Sequence, residues 1–437
     1  MKTDKIICKK KGAGMSTVQI CIHRAADTIG GNCIEIKISS GERLLLDAGR
    51  PLDTPEGEPT PIPATLDTTK PVSGILLSHA HPDHWGLLET LPAGWPVYCG
   101  KATKKLLRLS AATSPDNKTI AQSCFNWESG KAITIGPFTV TPHLIDHSAF
   151  DAYALQIEAE GRAIMYSGDF RAHGRKAILT EKLILKPPKQ VDALIMEGTN
   201  LPVGDSTLKP TPTEGELEKL FVDLFKEYQG RVFVSWSSTN IDRTVTLYRA
   251  CKRSGRVLVP DLYCLLVMMR LKEFGKIPQP DWPGGHMRAV VTRKMSYLTE
   301  HRLGEPDLIK YLIQNRSAMS ADKLAANPEK WVIMARGSLL EEYATKGVIP
   351  NEQDAWVWSM WSGYLKQESS RTMREFFAPC RQESIHSSGH ASPELLKRFA
   401  KAMQPKMLIP MHGEAWGAWA EHFANLKIMP DGKWLGI

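Results

Sequence analysis

Paired cysteines are missing from this chain. The eight cysteines, Cys8, Cys21, Cys33, Cys99, Cys124, Cys251, Cys264 and Cys380, are scattered without a C-x-x-C pair. Neither a disulfide framework nor a cysteine-based zinc site is therefore expected to organise the fold, and buried reduced thiols are the natural reading. Long apolar runs are missing as well. The N-terminal MKTDKIICKKKGAG carries lysines but no apolar stretch of signal-peptide length, and no later segment would span a bilayer. The expected compartment is the cytoplasm, with no membrane partner. Nor is charge gathered in one block: the formal excess of +8 is spread over 437 residues, which favours a polyanionic partner without identifying it. That length exceeds one ordinary core, so two packed domains are expected.

What is present begins with SGILLSHAHPDHWGLLETLP, residues 73–92. The apolar run 74–77 reads as a buried strand that delivers His79, His81, Asp83 and His84 into the following loop. Imidazole nitrogen and carboxylate oxygen suit zinc, and a tight loop lets such groups converge where a strand would point them to opposite faces. The plain alternative is a solvated turn. Three histidines and an aspartate directly after a buried strand argue against it.

Around this stretch the chain reads as strands and loops. Residues 17–47 predict two or three strands at a sheet edge, ending at Asp47, from which a carboxylate could accept a hydrogen bond from a metal-bound histidine or simply cap a turn. Residues 52–70 read as an irregular loop, 101–112 as a helix with an exposed basic side, and 132–144 as strands. His147 falls at a strand-to-loop break, Asp169 follows another apolar strand beside Gly168, and a strand at 191–196 ends in Glu197. From about residue 201 helical and extended signals alternate: 214–228 helix, 231–236 strand, 242–252 helix, 256–260 strand, 262–274 helix. After a weaker region at 277–327, further strands come at 330–335 and 355–360. This pattern predicts a parallel sheet covered by helices in a separate α/β domain over about 205–380. Beyond it, His390 follows Ser388-Gly389, a helix is expected at 393–403, and a strand at 407–410 delivers His412 before a helix at 415–426. The strand at 407 is expected to join the sheet of 74–77.

The H-x-H-x-D-H pattern is the signature of the metallo-β-lactamase fold. Taken with IGGNC at 29–33, DHS at 146–148, SGDFR at 167–171, EGTN, SGHAS and PMHGE, the chain resembles the β-CASP branch of that superfamily, ribonuclease J-like, almost end to end. The resemblance implies an α/β fold, a metallo-β-lactamase αββα sandwich with an inserted α/β β-CASP domain: 1–204 as the first part of the sandwich, 205–380 as the insert, and 381–437 as its completion. It implies a nuclease acting on RNA in preference to single-stranded DNA, using two Zn2+ ions, with Mn2+ or Mg2+ as alternatives. His79, His81 and His147 would hold one ion, Asp83, His84 and His412 the other, and Asp169 would bridge them, supported by Asp47. Asp83, His390 and Glu197 are the implied catalytic group, His390 serving the scissile phosphate and leaving oxygen while Glu197 holds and charges its imidazole. Ser388 would contact a phosphate.

Two departures stand out. Ribonuclease J relatives usually carry a further C-terminal domain, and here the chain ends 25 residues beyond His412, so dimerisation through that domain is not expected; the oligomeric state, a homodimer included, stays open. The family's phosphate loop is replaced by MARGSLLEEY at 334–343. Arg336 with Ser338, and Ser238 and Arg243 of SWSSTNIDR at 235–243, are candidate substitutes, although the same residues make ordinary helix caps. The rival readings are a hydrolase of a small phosphodiester or thioester on the same metal site, and a scaffold with a dead site. A large inserted domain argues against the first, and the intact ligand positions against the second.

Overall fold

In a computed structural model of the chain, residues 18–55, 57–114, 120–204 and 211–437 are described. Cys8 and the lysine-bearing N-terminal segment lie outside them. The other seven cysteines are free, six of them buried.

Two sheets stack face to face. The first has seven strands in the order Trp434–Gly436, Gln19–Arg24, Cys33–Lys37, Arg43–Leu46, Gly74–Leu76, Val97–Gly100 and Cys124–Trp127. The second has six, in the order Met407–Met411, Ala193–Glu197, Arg162–Tyr166, Ala152–Ala159, Phe138–Ile145 and Ile133–Ile135. The period of two explains the layering. Leu44, Leu46 and Leu76 face inward and meet Leu155, Ile164, Tyr166 and Ile195 of the other sheet. Leu45 and Ile75 face the other way, packing against Trp85, Leu88 and Leu107. Met165, Leu194 and Met196 likewise turn outward, onto Leu183 and onto Leu395, Leu396 and Phe399 of helix Pro393–Met403. Both faces of the central strands of both sheets are buried, which gives the expected αββα sandwich.

A third sheet is wholly parallel, in the order Val257–Val259, Trp331–Met334, Val232–Ser235, Ala355–Trp358 and Arg381–Ser384. Its core continues into helices Glu214–Glu227, Ile241–Ser254 and Leu262–Leu271. The alternation in the sequence predicts this sheet, but its last strand runs past the boundary expected at 380. The weak region holds helices Arg293–His301 and Leu308–Gln314 and a two-stranded pair, Ala289–Val290 with Ala318–Met319.

Three expectations are corrected. Strand Met407–Met411 pairs in parallel with Ala193–Glu197, in the second sheet; the C-terminal segment that joins the first sheet is Trp434–Gly436. That strand covers Gln19–Arg24, so residues 17–47 form no open edge. The helix expected at 415–426 is replaced by tight turns and a 3-10 turn at Ala420–His422. Its backbone bonds run mostly to the third residue back, while the Trp416 and Trp419 indoles donate to Met411 O and Pro202 O and pin the chain where a regular helix would lift it away. Among the described residues no helix is long and apolar enough to cross a membrane.

Candidate metal centre

After strand Gly74–Leu76 the chain turns into a one-turn helix, Pro82–Trp85, with Pro82 at its first position. This turn brings His79, His81, Asp83 and His84 together. The opposite wall comes from the ends of second-sheet strands: His147 after Phe138–Ile145, Asp169 after Arg162–Tyr166, and His412 after Met407–Met411. His79, His81 and His147 form one group able to hold a cation; Asp83, His84, Asp169 and His412 form a second; Asp169, Glu197 and His390 converge beside them, the ligand atoms of each group lying within 4.8 Å of one another. Asp169 is central. Its Oδ2 lies 3.9 Å from His79 Nε2, 3.0 Å from His84 Nε2 and 3.8 Å from His412 Nε2.

The outer nitrogens of His79, His84, His147 and His412 are spoken for. Asp47 Oδ2 accepts from His84 Nδ1 at 2.7 Å and from Tyr166 OH at 2.5 Å, while its Oδ1 takes Ser78 N at 2.7 Å. Asn32 Oδ1 faces His412 Nδ1 at 2.6 Å, Gly389 O faces His147 Nδ1 at 2.5 Å, and Ser78 Oγ faces His79 Nδ1 at 3.0 Å. A proton fixed on each Nδ1 leaves the Nε2 lone pair free to ligate. Asp47 and His412 both adopt left-handed backbone, φ 56° and 47°, a strained conformation that the surrounding hydrogen bonds hold in place.

The electrostatics divide the rings: burial opposes charge on His84, yet Asp169 and Asp47 hold its imidazole well above the ordinary range, whereas the rings of the first group are shifted the other way. Burial pushes His79 and His147 well below the ordinary imidazole range, aided by the imidazoles around them, and lowers His81 to about 4. These rings stay neutral, as ligands must. Burial opposes charge on Asp169, yet His412, His84 and His390 beside it hold its carboxyl well below the usual range. The fit can be tested on the atoms themselves. Nε2 of His79 and His412 and Oδ1 of Asp169 are buried without a hydrogen-bond partner, and His84 Nε2 meets the Asp169 carboxylate. Each such orphan costs roughly 1–3 kcal/mol, and clustering three of them makes sense if divalent cations satisfy all of them.

Glu197 divides its two oxygens. Oε1 accepts from Phe170 N at 2.8 Å and Oε2 faces His390 Nδ1 at 3.0 Å. Burial disfavours charge on His390, but Glu197 and Asp169 outweigh it and raise the imidazole to about 9. The loop before it is tightly held. Arg171 and His173 donate to Ser388 O at 3.0 and 2.8 Å, and Asn200 Nδ2 donates to Ser388 Oγ and His390 O, both at 2.9 Å. Ser388 thus anchors its own loop, where a phosphate contact was expected.

The remaining sequence candidates separate. Arg243 is fully buried, paired with Glu214 at 3.0 Å and donating to Ser359 O at 3.0 Å; a phosphate role is corrected to a structural one, because both its ends are engaged within the protein. Ser238 and Arg336 do meet, Arg336 donating to Ser238 Oγ at 3.2 Å and to Asp261 at 2.8 Å, so that the guanidinium is already neutralised. Ser338 is exposed in the 3-10 turn Gly337–Leu339. Sequence reasoning passed over Asn32, Ser78, Tyr166, Arg171 and Asn200. Asn32, Arg171 and Asn200 lie inside IGGNC, SGDFR and EGTN, and for Asn32 a polar residue between a glycine turn and an apolar strand was the available signal.

The third sheet sits over this centre. Asn240 bridges to Ala149, and Arg171 pairs with Asp242 at 2.6 Å, with Asp146 at 3.6 Å and Glu214 at 3.9 Å nearby. The centre therefore lies between the sandwich and the carboxyl ends of the parallel strands, the usual ligand position of such sheets.

Comparison with known proteins agrees with this geometry. A "Beta-lactamase superfamily domain" family matches residues 42–234, and a "Zn-dependent metallo-hydrolase RNA specificity domain" family matches 379–426. The chain is 26% identical over 407 residues to a Ribonuclease J of Helicobacter pylori, covering 88% of this chain and 54% of that protein. It is 24% identical to a Ribonuclease J of Sinorhizobium meliloti, covering 79% and 58%, and 23% identical to an RNase J-like protein of Methanocaldococcus jannaschii, covering 91% and 93%. The chain spans little more than half the length of the first two. A solved structure of a protein of unknown function from Enterococcus faecalis superposes with a TM-score of 0.75 at 21% identity, covering 96% of this chain and all of that one, a likeness of fold.

Proposed function

We propose that this chain, a ribonuclease J-like member of the metallo-β-lactamase superfamily, hydrolyses phosphodiester bonds of RNA. The observation that carries this reading is the cluster of unpartnered buried ligand atoms set directly beside a Glu197–His390 pair. His79, His81 and His147 would hold one divalent cation, Asp83, His84 and His412 a second, with Asp169 between them and zinc the ion best matched to this donor set. Bound there, such ions supply Lewis acidity, acidifying water and offsetting the charge of a phosphate.

The chain's own residues supply the rest. Asp47, Asn32, Ser78 and the Gly389 carbonyl fix the tautomers of the ligating rings. Glu197 holds a proton on His390 Nδ1, so the protonated ring presents its Nε2–H to the reacting group. His390 can then stabilise the scissile phosphate and pass a proton to the leaving oxygen. The loop contacts of Arg171, His173 and Asn200 keep it in position.

Digestion of end-labelled RNA and DNA by the purified protein, with elemental analysis of its metal content, tests this. RNA cleavage abolished by chelation and restored by zinc is the expected result. A fully metallated protein that leaves RNA intact would sink the proposal.

A further inference from the structure

Three consecutive residues after second-sheet strand Arg162–Tyr166 serve the centre in different ways. Asp169 lies among the ligating rings, Phe170 N donates to Glu197 Oε1 at 2.8 Å, and Arg171 Nη1 donates to Ser388 O at 3.0 Å. Arg171 is fully buried, and the carboxylate nearest to it comes from the other domain: Nη2 donates at 2.6 Å to Asp242, in the first turn of helix Ile241–Ser254. One guanidinium thus ties the loop that bears His390 to a helix of the parallel-sheet domain.

The tie is stiff. A guanidinium is a planar fork, so the arm on Ser388 O and the arm on Asp242 move as one piece. Gly174 lies across it, where an added Cβ would stand 2.5 Å from Nη2 and 2.6 Å from Nε. Asp242 Oδ2 also accepts from Arg175 N at 3.0 Å, which fixes the carboxylate in turn. The fork nevertheless has an alternative. Arg171 Nε and Asp146 Oδ1 are both buried without a hydrogen-bond partner, 3.6 Å apart, and Glu214 lies 3.9 Å from Nη1. A buried cation deprived of its partner is costly, so without the Asp242 charge the guanidinium would turn towards these carboxylates and draw Nη1 away from Ser388 O.

We infer that Asp242 is a positioning residue for His390, acting through Arg171 and the Ser388 carbonyl, so that the acid is set in place only while the parallel-sheet domain is docked on the sandwich. This rests on the reading of His390 as the acid of a phosphodiesterase. The duty of Asp242 is to aim the fork, since Asp146 and Glu214 already lie close enough to offset its charge.

The test is a double-mutant cycle on the zinc-loaded protein, read as single-turnover cleavage at saturating end-labelled RNA. Asp242→Asn should slow cleavage about ten- to a hundred-fold when His390 is present, and by less than about twofold in a His390→Ala background. Zinc content and RNA affinity should stay at wild-type levels. A fall of the same size in both backgrounds marks a merely structural role and overturns the inference, as does an unchanged rate with His390 present or a loss of zinc. Should thermal melting show that Asp242→Asn does not fold, Asp242→Glu, which keeps the charge but displaces the carboxylate, carries the same comparison. Proton NMR separates this from the nuclease reading. The His390 Nδ1–H, identified by its loss in His390→Ala, should exchange with water faster in Asp242→Asn while the other imidazole signals hold. Faster exchange in a zinc-loaded protein that leaves RNA uncut would uphold the positioning and sink the nuclease reading; unchanged exchange would overturn the positioning even if RNA is cut.

Discussion

His390 and His412 are imidazoles of one cluster, 5.7 Å apart between ring centroids, yet their partners leave them in opposite states. His412 donates to the neutral Asn32 amide and turns an unpartnered Nε2 inward, the state of a ligand. His390 faces the Glu197 carboxylate and holds its proton, the state of an acid. Accordingly His390→Ala should keep both metals and substrate affinity while single-turnover cleavage falls about a hundred-fold to ten-thousand-fold; Glu197→Gln should act in the same direction, more mildly. His412→Ala should lose metal on elemental analysis. If His390→Ala releases a metal as readily, the division of duties is wrong. Asn32→Ala should weaken metal binding by about ten- to a hundred-fold, the usual cost of freeing a ligand's outer nitrogen, measured by competition with a chelator.

Among the elements, the SGH loop is the most constrained. A Cβ on Gly389 would come within 2.6 Å of Ser148 Oγ and 3.3 Å of the His147 ring, while its carbonyl holds His147 Nδ1. Gly389→Ala should therefore disturb His147 and His390 together, lowering cleavage about a hundredfold, as displacements near 1 Å do, with a smaller fall in melting temperature. Much at this scale was legible beforehand. Helix Pro393–Met403 announces itself by the proline in its first turn, and the structure adds Ser392 ahead of it, accepting from Leu395 N at 3.2 Å; the parallel sheet follows from short apolar runs spaced by helical ones. The illegible parts are those set by distant partners. Nothing local in 407–411 says which sheet it joins, because an apolar strand fits either, and Arg243 looked like a phosphate ligand because Glu214 and Ser359, its true partners, lie 29 and 116 residues away. The histidines were expected to converge because they follow buried strands, and the structure does bring His79, His81, His84, His147, His390 and His412 into one cluster.

For the molecule as a whole, the join between sandwich and parallel sheet rests on buried charge. Burial opposes ionisation of Glu214, but Arg243 and then Arg171 overcome it and hold its carboxyl at about 2, against an ordinary 4.5. A depressed carboxyl stabilises the fold fully above its ordinary value, and that contribution, on the order of 3 kcal/mol, is lost as pH falls from 4.5 towards 2. Urea unfolding followed across that window should show wild type losing stability faster than Glu214→Gln, which cannot titrate. Chelation should lower the melting transition at neutral pH and zinc should restore it, because ions that bind only the folded state stabilise it by mass action. The placing of strand Trp434–Gly436 against Gln19–Arg24 also sets a schedule for synthesis. At roughly 5–20 residues per second, the N-terminal strand waits on the order of 20–80 s for the segment that covers it, and His412 arrives only shortly before that segment. A chain still on the ribosome therefore exposes an unpaired sheet edge and lacks a complete metal centre until the segments holding His412 and Trp434 have emerged, so the edge is at risk for as long as the centre is incomplete.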